Sequence, residues 1–247
     1  MTLHALAAPA AMAGGCIGSF VTTAALRNLR GEQAWLGRSH CDTCGVSLSY
    51  LQTAPVVSFV GLRGSCAACS APIDPTHLIG EVAGGIILGL SFLVLPPLTA
   101  GLVAALGLAL LAASVVDAKT RRLPDITTLV VAACGASLAL SSGSQSLLFG
   151  MAAAMLTFLV LEACRRLFIV ANGRPGLGFG DVKLAAALAL WLGLKSPWMV
   201  IAASLAGLAF CALTRRRDSH IPFGPFIAAS AWLIGLAEEA HWWPSPM

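Results

Sequence analysis

Residues 98–117 read LTAGLVAALGLALLAASVVD, and no charge interrupts the run until Asp117 closes it. A helix that crosses the hydrocarbon core of a bilayer takes about 17–25 mostly apolar residues. Residues 98–116 are such a run. Its apolar residues are continuous, whereas a lipid-facing barrel strand alternates apolar and polar positions. Pro96-Pro97 separates it cleanly from another apolar run upstream.

Seven more apolar runs lie to either side, so the expectation is eight transmembrane helices, at 3–24, 79–95, 98–116, 126–142, 146–164, 182–194, 197–213 and 222–238. The sixth is short. The whole chain agrees with this reading. Of 247 residues, 57% are apolar and only 11% are charged, and the mean hydropathy is +0.84. A soluble domain carries about 25% charged residues. The composition therefore argues against a soluble enzyme, a disordered chain or a nucleic-acid binder. The fold class is all-α and polytopic, with membrane lipid as its surroundings. The first run has no basic segment before it, and Arg27 and Arg30 follow it. It reads as a retained helix with its N-terminus outside, not as a cleaved signal.

Sidedness follows from Lys and Arg. With an outside N-terminus, the cytosolic side holds Arg27, Arg30, Arg38, Arg63, Lys119, Arg121, Arg122, Arg165, Arg166, Arg174, Lys183, Arg215, Arg216 and Arg217. Only Lys195 of the 15 cations falls outside. Three domains are expected: a first helix over 1–26, a cytosolic insert over 27–78, and a membrane domain over 79–247.

The insert carries Cys41-Asp42-Thr43-Cys44 and Cys66-Ala67-Ala68-Cys69. The pattern C-x2-C-x21-C-x2-C is one residue beyond common zinc-ribbon spacing. Each pair turns two thiolates toward one ion, and Gly45 and Gly64 suit the tight turns. So small an insert builds little core, and a metal would supply folding energy. Cys41, Cys44, Cys66 and Cys69 are thus read as a structural zinc site. The alternative is a membrane thiol oxidoreductase that uses the same pairs. Cys16, Cys134, Cys164 and Cys211 read as small core hydrophobes.

The chain has 11 acidic residues, few enough to weigh singly. Glu32, Asp42, Asp74 and Asp218 lie in loops. Glu81 falls in the first turn of the second helix, where the dipole favours an anion. Glu162 pairs with Arg165 and Arg166 one turn on. Glu238 and Glu239 read as solvated, and Asp125 as a helix N-cap. The five histidines show no ligand spacing. Asp117 and Asp181 remain. Asp117 closes a helix, where the dipole disfavours an anion. Asp181 ends the glycine-rich turn Gly176-Leu177-Gly178-Phe179-Gly180. Both fall at cytosolic helix ends. Two neighbouring carboxylates can share a proton, one activating water while the other acts as the acid. A proton-coupled transporter would instead carry its carboxylates near the bilayer midplane.

At this point the chain resembles the prepilin peptidase family of membrane aspartic proteases. The resemblance rests on Gly18-Ser19-Phe20, Arg38-Ser39-His40-Cys41-Asp42-Thr43-Cys44, Gly64-Ser65-Cys66-Ala67-Ala68-Cys69 and Glu81. It continues through Asp117, Leu123-Pro124-Asp125, Gly176–Lys183 and Pro222-Phe223-Gly224-Pro225-Phe226. It implies that Asp117 and Asp181 are the catalytic pair, with Gly178, Gly180 and Lys183 supporting the catalytic loop. It implies cleavage of prepilin or pseudopilin leaders of type IV pilus and type II secretion systems, at the cytosolic face of the bacterial inner membrane. The four-cysteine insert marks the bifunctional members, which then N-methylate the new terminus with S-adenosylmethionine. After Gly18-Ser19-Phe20 this chain has threonine where the family has asparagine, and it lacks the proline that follows. A presenilin-like protease shares the Gly-x-Gly-Asp turn, but no Pro-Ala-Leu motif accompanies it here.

Overall fold

The computed structural model describes residues 3–34, 37–214 and 221–241. Arg215, Arg216, Arg217, Asp218 and His220 lie outside the described residues. Each of the eight apolar runs is a helix. These are α1 (Leu3–Leu29), α3 (Pro75–Val94), α4 (Pro97–Thr120), α5 (Asp125–Ser141), α6 (Ser144–Asn172), α7 (Phe179–Leu192), α8 (Ser196–Thr214) and α9 (Gly224–Glu239). A short α2 (Val57–Gly61) lies in the insert. Among the described residues no strand forms, and the chain is an all-α polytopic membrane protein.

Five stretches are long and apolar enough to cross a bilayer: Leu6–Leu29, Pro75–Val94, Pro97–Thr120, Ser144–Asn172 and Phe179–Thr214. The last of these holds both α7 and α8, broken at Gly193. Eight spans is therefore an approximate count. The 14 residues of α7 rise only about 21 Å at 1.5 Å each, against a hydrocarbon core of about 30 Å.

The chain divides into two compact units, Met1–Pro96 and Pro97–Met247. In the first, α1 lies against α3 along a glycine seam. A Cβ on Gly14 would stand 2.3 Å from the Gly84 carbonyl oxygen, and one on Gly18 2.3 Å from that of Gly80. Both helices thus carry a Gly-x-x-x-Gly face. Such faces let backbones touch where lipid supplies no hydrophobic drive for association. Asp74 caps α3 by accepting the Thr76 N–H at 2.8 Å, and Pro75 occupies the first helical turn.

In the second unit α7 is the core element. Val182, Leu184, Ala185, Leu188 and Ala189 are all buried. It packs against α5, α6 and α9, while α4 packs on α5 and α9. Small residues again permit close approach. A Cβ on Gly150 of α6 would fall 2.3 Å from the Leu190 carbonyl oxygen.

Several sequence expectations are corrected here. Glu238 and Glu239 are not simply solvated. Lys195 Nζ meets Glu238 Oε1 at 2.8 Å, and the Trp191 indole N–H donates to Glu239 Oε1 at 3.0 Å. Trp191, in the last turn of α7, and Lys195, in the turn that follows it, supply the two partners for the end of α9. The cysteines at 16, 134, 164 and 211 are exposed or half-buried, not core residues. The outside of a membrane bundle is as apolar as its inside, so apolarity alone did not place them.

Candidate functional site

Asp117 sits in the last turn of α4 and is only 4% exposed. Its Oδ2 accepts the backbone N–H of Gly224 at 2.9 Å. Gly224 is the first residue of α9, and that N–H has no partner inside its own helix. The positive end of α9 therefore offsets the unfavourable end of α4. The pairing needs glycine. A Cβ on Gly224 would stand 2.7 Å from Asp117 Oδ2 and 3.2 Å from Leu123 Cδ2.

Asp181 lies in the first turn of α7, with Gly178 at the N-cap. Its carboxylate folds back over that cap, so a Cβ on Gly178 would fall 2.8 Å from Asp181 Oδ2. Leu123, in the loop after α4, touches the other two glycine positions. It lies 3.1 Å from a Cβ built on Gly180 and 3.2 Å from one on Gly224. One leucine thus packs the starts of α7 and α9 together. Asp117 and Asp181, 64 positions apart in sequence, thus lie on the two sides of Leu123, beside the starts of α9 and α7.

Lys183 pairs with Asp125. This corrects the capping assignment: Pro124 is the N-cap of α5, Asp125 is the first helical residue, and its carboxylate reaches across to α7. Lys183 also lies over the Phe179 ring at 5.4 Å, and Arg165 lies over the same ring at 5.4 Å. Glu162 holds Arg165 at 2.7 Å and Arg166 at 2.6 Å, the pairing expected from spacing.

The second candidate site lies in the first unit. Cys41, Cys44, Cys66 and Cys69 bring their Sγ atoms within 4.8 Å of one another. The two loops repeat one design. Gly45 N–H donates to the Cys41 carbonyl at 2.9 Å, and Ser70 N–H to that of Cys66 at 2.9 Å. Gly45 and Ser70 both take positive φ, at 72° and 59°. Ser70, not Gly64, is thus the counterpart of Gly45; Gly64 packs against Phe59 instead. A tetrahedral ion with ~2.3 Å metal–sulfur bonds sets sulfurs about 3.8 Å apart. Cys41 and Cys69 Sγ are 3.8 Å apart, so the four thiols fit such an ion. Backbone N–H groups of Cys44 and then Thr43 draw the Cys41 thiol down to about 6. The Ala71 N–H also favours the Cys69 thiolate, but the Cys44 thiol and burial outweigh it and push Cys69 up to about 12. Nothing in this convergence favours two separate redox pairs.

Beneath these loops lies a cleft with a cavity volume of about 160 Å³. Glu81, read from the sequence only as an anion favoured by the helix dipole, lines it. Because α3 begins at Pro75, Glu81 lies past the first turn, where the helix dipole has faded. It is 8% exposed; its Oε1 accepts the Ser19 hydroxyl at 2.9 Å and its Oε2 the Val56 N–H at 2.7 Å. Val56 has φ 63° and ψ −50°, a strained conformation for a β-branched residue. Strain of this kind costs about 1–3 kcal/mol and concentrates at functional sites.

Residues 12–95 match the bacterial peptidase A24 N-terminal domain, and residues 104–212 match the type IV leader peptidase family. The chain is 38% identical over 200 residues to a prepilin leader peptidase/N-methyltransferase of Burkholderia pseudomallei (strain K96243). That match covers 78% of this chain and 64% of the relative, so the chain spans a little under two thirds of that protein's length. A protein of the same description from Neisseria gonorrhoeae is 33% identical over 216 residues, covering 83% of this chain and 72% of the relative. One from Aeromonas hydrophila is 35% identical over 205 residues, covering 79% and 70%. No solved structure matches the chain.

Proposed function

Since the chain belongs to the type IV leader peptidase family, we propose that it cleaves leader peptides from prepilins or pseudopilins and then N-methylates the exposed terminus. The observation that supports the peptidase reading is the placement of Asp117, held by the Gly224 N–H, and of Asp181, at the glycine turn, on the two sides of Leu123. Asp117, fixed by that hydrogen bond, acts as the base that takes a proton from water. Asp181 donates its proton to the carbonyl oxygen as the water oxygen bonds to the scissile carbon. The proton then passes to the leaving nitrogen as the C–N bond breaks. Gly178 and Gly180 give the turn room to hold Asp181, and Lys183 ties the start of α7 to α5.

Cys41, Cys44, Cys66 and Cys69 would hold one structural zinc. S-adenosylmethionine would supply an electrophilic methyl group. The distribution of cations favours a multi-pass protein of the bacterial inner membrane, with its N-terminus periplasmic and Asp117 and Asp181 at the cytosolic face.

Incubating the full chain with a synthetic prepilin and labelled S-adenosylmethionine tests both activities together. Asp117→Asn and Asp181→Asn are expected to abolish cleavage while the protein still inserts. Normal processing by either variant would sink the peptidase assignment.

A further inference from the structure

The turn that presents Asp181 has little with which to hold itself. Residues 176–181 read GLGFGD, and three of the six are glycines. Glycine has the most backbone freedom to lose on folding, so the turn must be fixed from outside. Phe179, two residues before Asp181, is where α6 takes hold of it. Its ring meets Phe158 edge-on, with centroids 6.3 Å apart and planes at 74°. The Arg165 guanidinium and the Lys183 ammonium each stand over the same ring at 5.4 Å. A cation within about 6 Å of an aromatic centroid is attracted by the ring quadrupole. At the other end of the turn, a Cβ on Gly176 would stand 2.8 Å from the Phe168 ring.

Arg165 is itself held. Its Nε and Nη2 donate to the two Glu162 carboxylate oxygens at 2.7 and 2.8 Å. Such a bidentate pair fixes the plane of the guanidinium as well as its place. Phe158, Glu162, Arg165 and Phe168 recur at i, i+4, i+7 and i+10 along α6, so they share one face of that helix. Of the two arginines paired with Glu162, the Arg166 side chain is 75% exposed and that of Arg165 21%. The sheltered one is the one over the Phe179 ring. A pair that served α6 alone would have no reason to end on a residue of α7. We propose that Glu162, Arg165 and Phe179 form a positioning relay for the Asp181 carboxylate. Glu162 orients Arg165, Arg165 pins the Phe179 ring, and the ring fixes the first turn of α7. This rests on the reading of Asp181 as a residue of the peptidase site and names what sets its place. All three residues act through the backbone of the turn, so they are positioning and not catalytic residues.

The test uses the full chain in detergent with a synthetic prepilin. Arg165→Met removes the cation, and Glu162 keeps Arg166 at 2.6 Å, so no buried carboxylate is orphaned. Phe179→Leu keeps an apolar side chain and removes the ring face. Each is expected to lower kcat for cleavage about tenfold with KM within about twofold, the size of a partly desolvated cation–π contact. The double variant should lose no more than about twofold beyond either single one, because residues that act through each other are not additive. Phe179→Tyr restores the ring face and should cleave within about threefold of the unsubstituted rate. Hydrogen exchange of the backbone at 176–181 reads the turn without substrate, and it should quicken at least about threefold in Arg165→Met. Losses that multiply to about a hundredfold in the double variant overturn the relay. An unchanged exchange rate at the turn overturns it too and leaves the peptidase reading standing. If exchange quickens while the unsubstituted chain fails to cleave prepilin, the clamp on the turn stands and the peptidase reading falls.

Discussion

Gly224→Ala is the sharpest perturbation of the proposed peptidase site, because it adds one carbon and changes no charge. The new Cβ would lie 2.7 Å from Asp117 Oδ2 and 3.1 Å from its Cγ. Ordinary contact begins at 3.4 Å, so the carboxylate or the start of α9 must retreat by about 0.7 Å. Leu123 Cδ2 at 3.2 Å blocks one way out. The retreat stretches the 2.9 Å hydrogen bond from the Gly224 N–H beyond useful length. A hydrogen bond to a charged group is worth about 1.5–3 kcal/mol, or roughly 10- to 150-fold in rate at 1.4 kcal/mol per factor of ten. Misplacement approaching 1 Å near a reacting centre can cost about 10²-fold by itself. The expected result is a fall in kcat for prepilin cleavage of about 10²-fold, with KM changed less than threefold. Cleavage would be followed by gel shift and mass spectrometry of a synthetic prepilin. Zinc content and methylation of an already mature peptide should not change, which separates a local effect from misfolding. A variant that cleaves within twofold of the unsubstituted rate refutes the reasoning, because it would show that the Asp117–Gly224 contact does not position the carboxylate.

Replacing Cys66 with serine should remove the bound metal, which elemental analysis of the unsubstituted chain is expected to give as about one zinc per chain; full retention by the variant refutes a four-thiolate site. Arg30, donating at 2.6 and 2.8 Å, holds the Asp42 carboxyl below the usual carboxylate range. A depressed carboxyl stabilises the fold at pH above its unfolded value, about 3.9, and that contribution is lost as pH falls through the folded value. The acid side of a melting-temperature profile should therefore shift toward lower stability below about pH 4, and Asp42→Asn should flatten that loss; an unchanged profile rules the pair out as its source. Gly18→Val would drive a side chain into the Gly80 carbonyl at 2.3 Å. Little folded protein should survive in size-exclusion chromatography, and a monodisperse, fully active variant would contradict the glycine seam.

How far the sequence reached depended on what each signal measured. Apolar run length placed all eight long helices, because burying backbone in lipid forces helix wherever polar residues run out. It did not report neighbours. Residues 79–95 were grouped with the later helices, yet α3 packs on α1 through four glycines, a match of two faces that neither run declares alone. Asp117 and Asp181 stood out by elimination, whereas the leucine that links their surroundings is visible only in three dimensions. Gly224 and Leu123 went unassigned although both lie in quoted motifs, because their contribution is a shape around Asp117 and not a charge. Glu81 was misjudged through a boundary error. Starting α3 at 79 made the helix dipole a sufficient explanation, whereas its start at Pro75 removed it.

The glycine seam between α1 and α3 also sets an order of assembly. Both faces are bare backbone, so neither helix is complete until the other is present. α1 ends at Leu29 and α3 at Val94. At about 5–20 residues per second, the ribosome needs roughly 3–13 s to deliver the second after the first. Throughout that interval α1 sits in the membrane without its mate, and the intervening cysteines are synthesised before the mate arrives. Metal capture by the two loops would shorten the tether between the helices, so zinc supply during synthesis would influence how often the pair closes correctly.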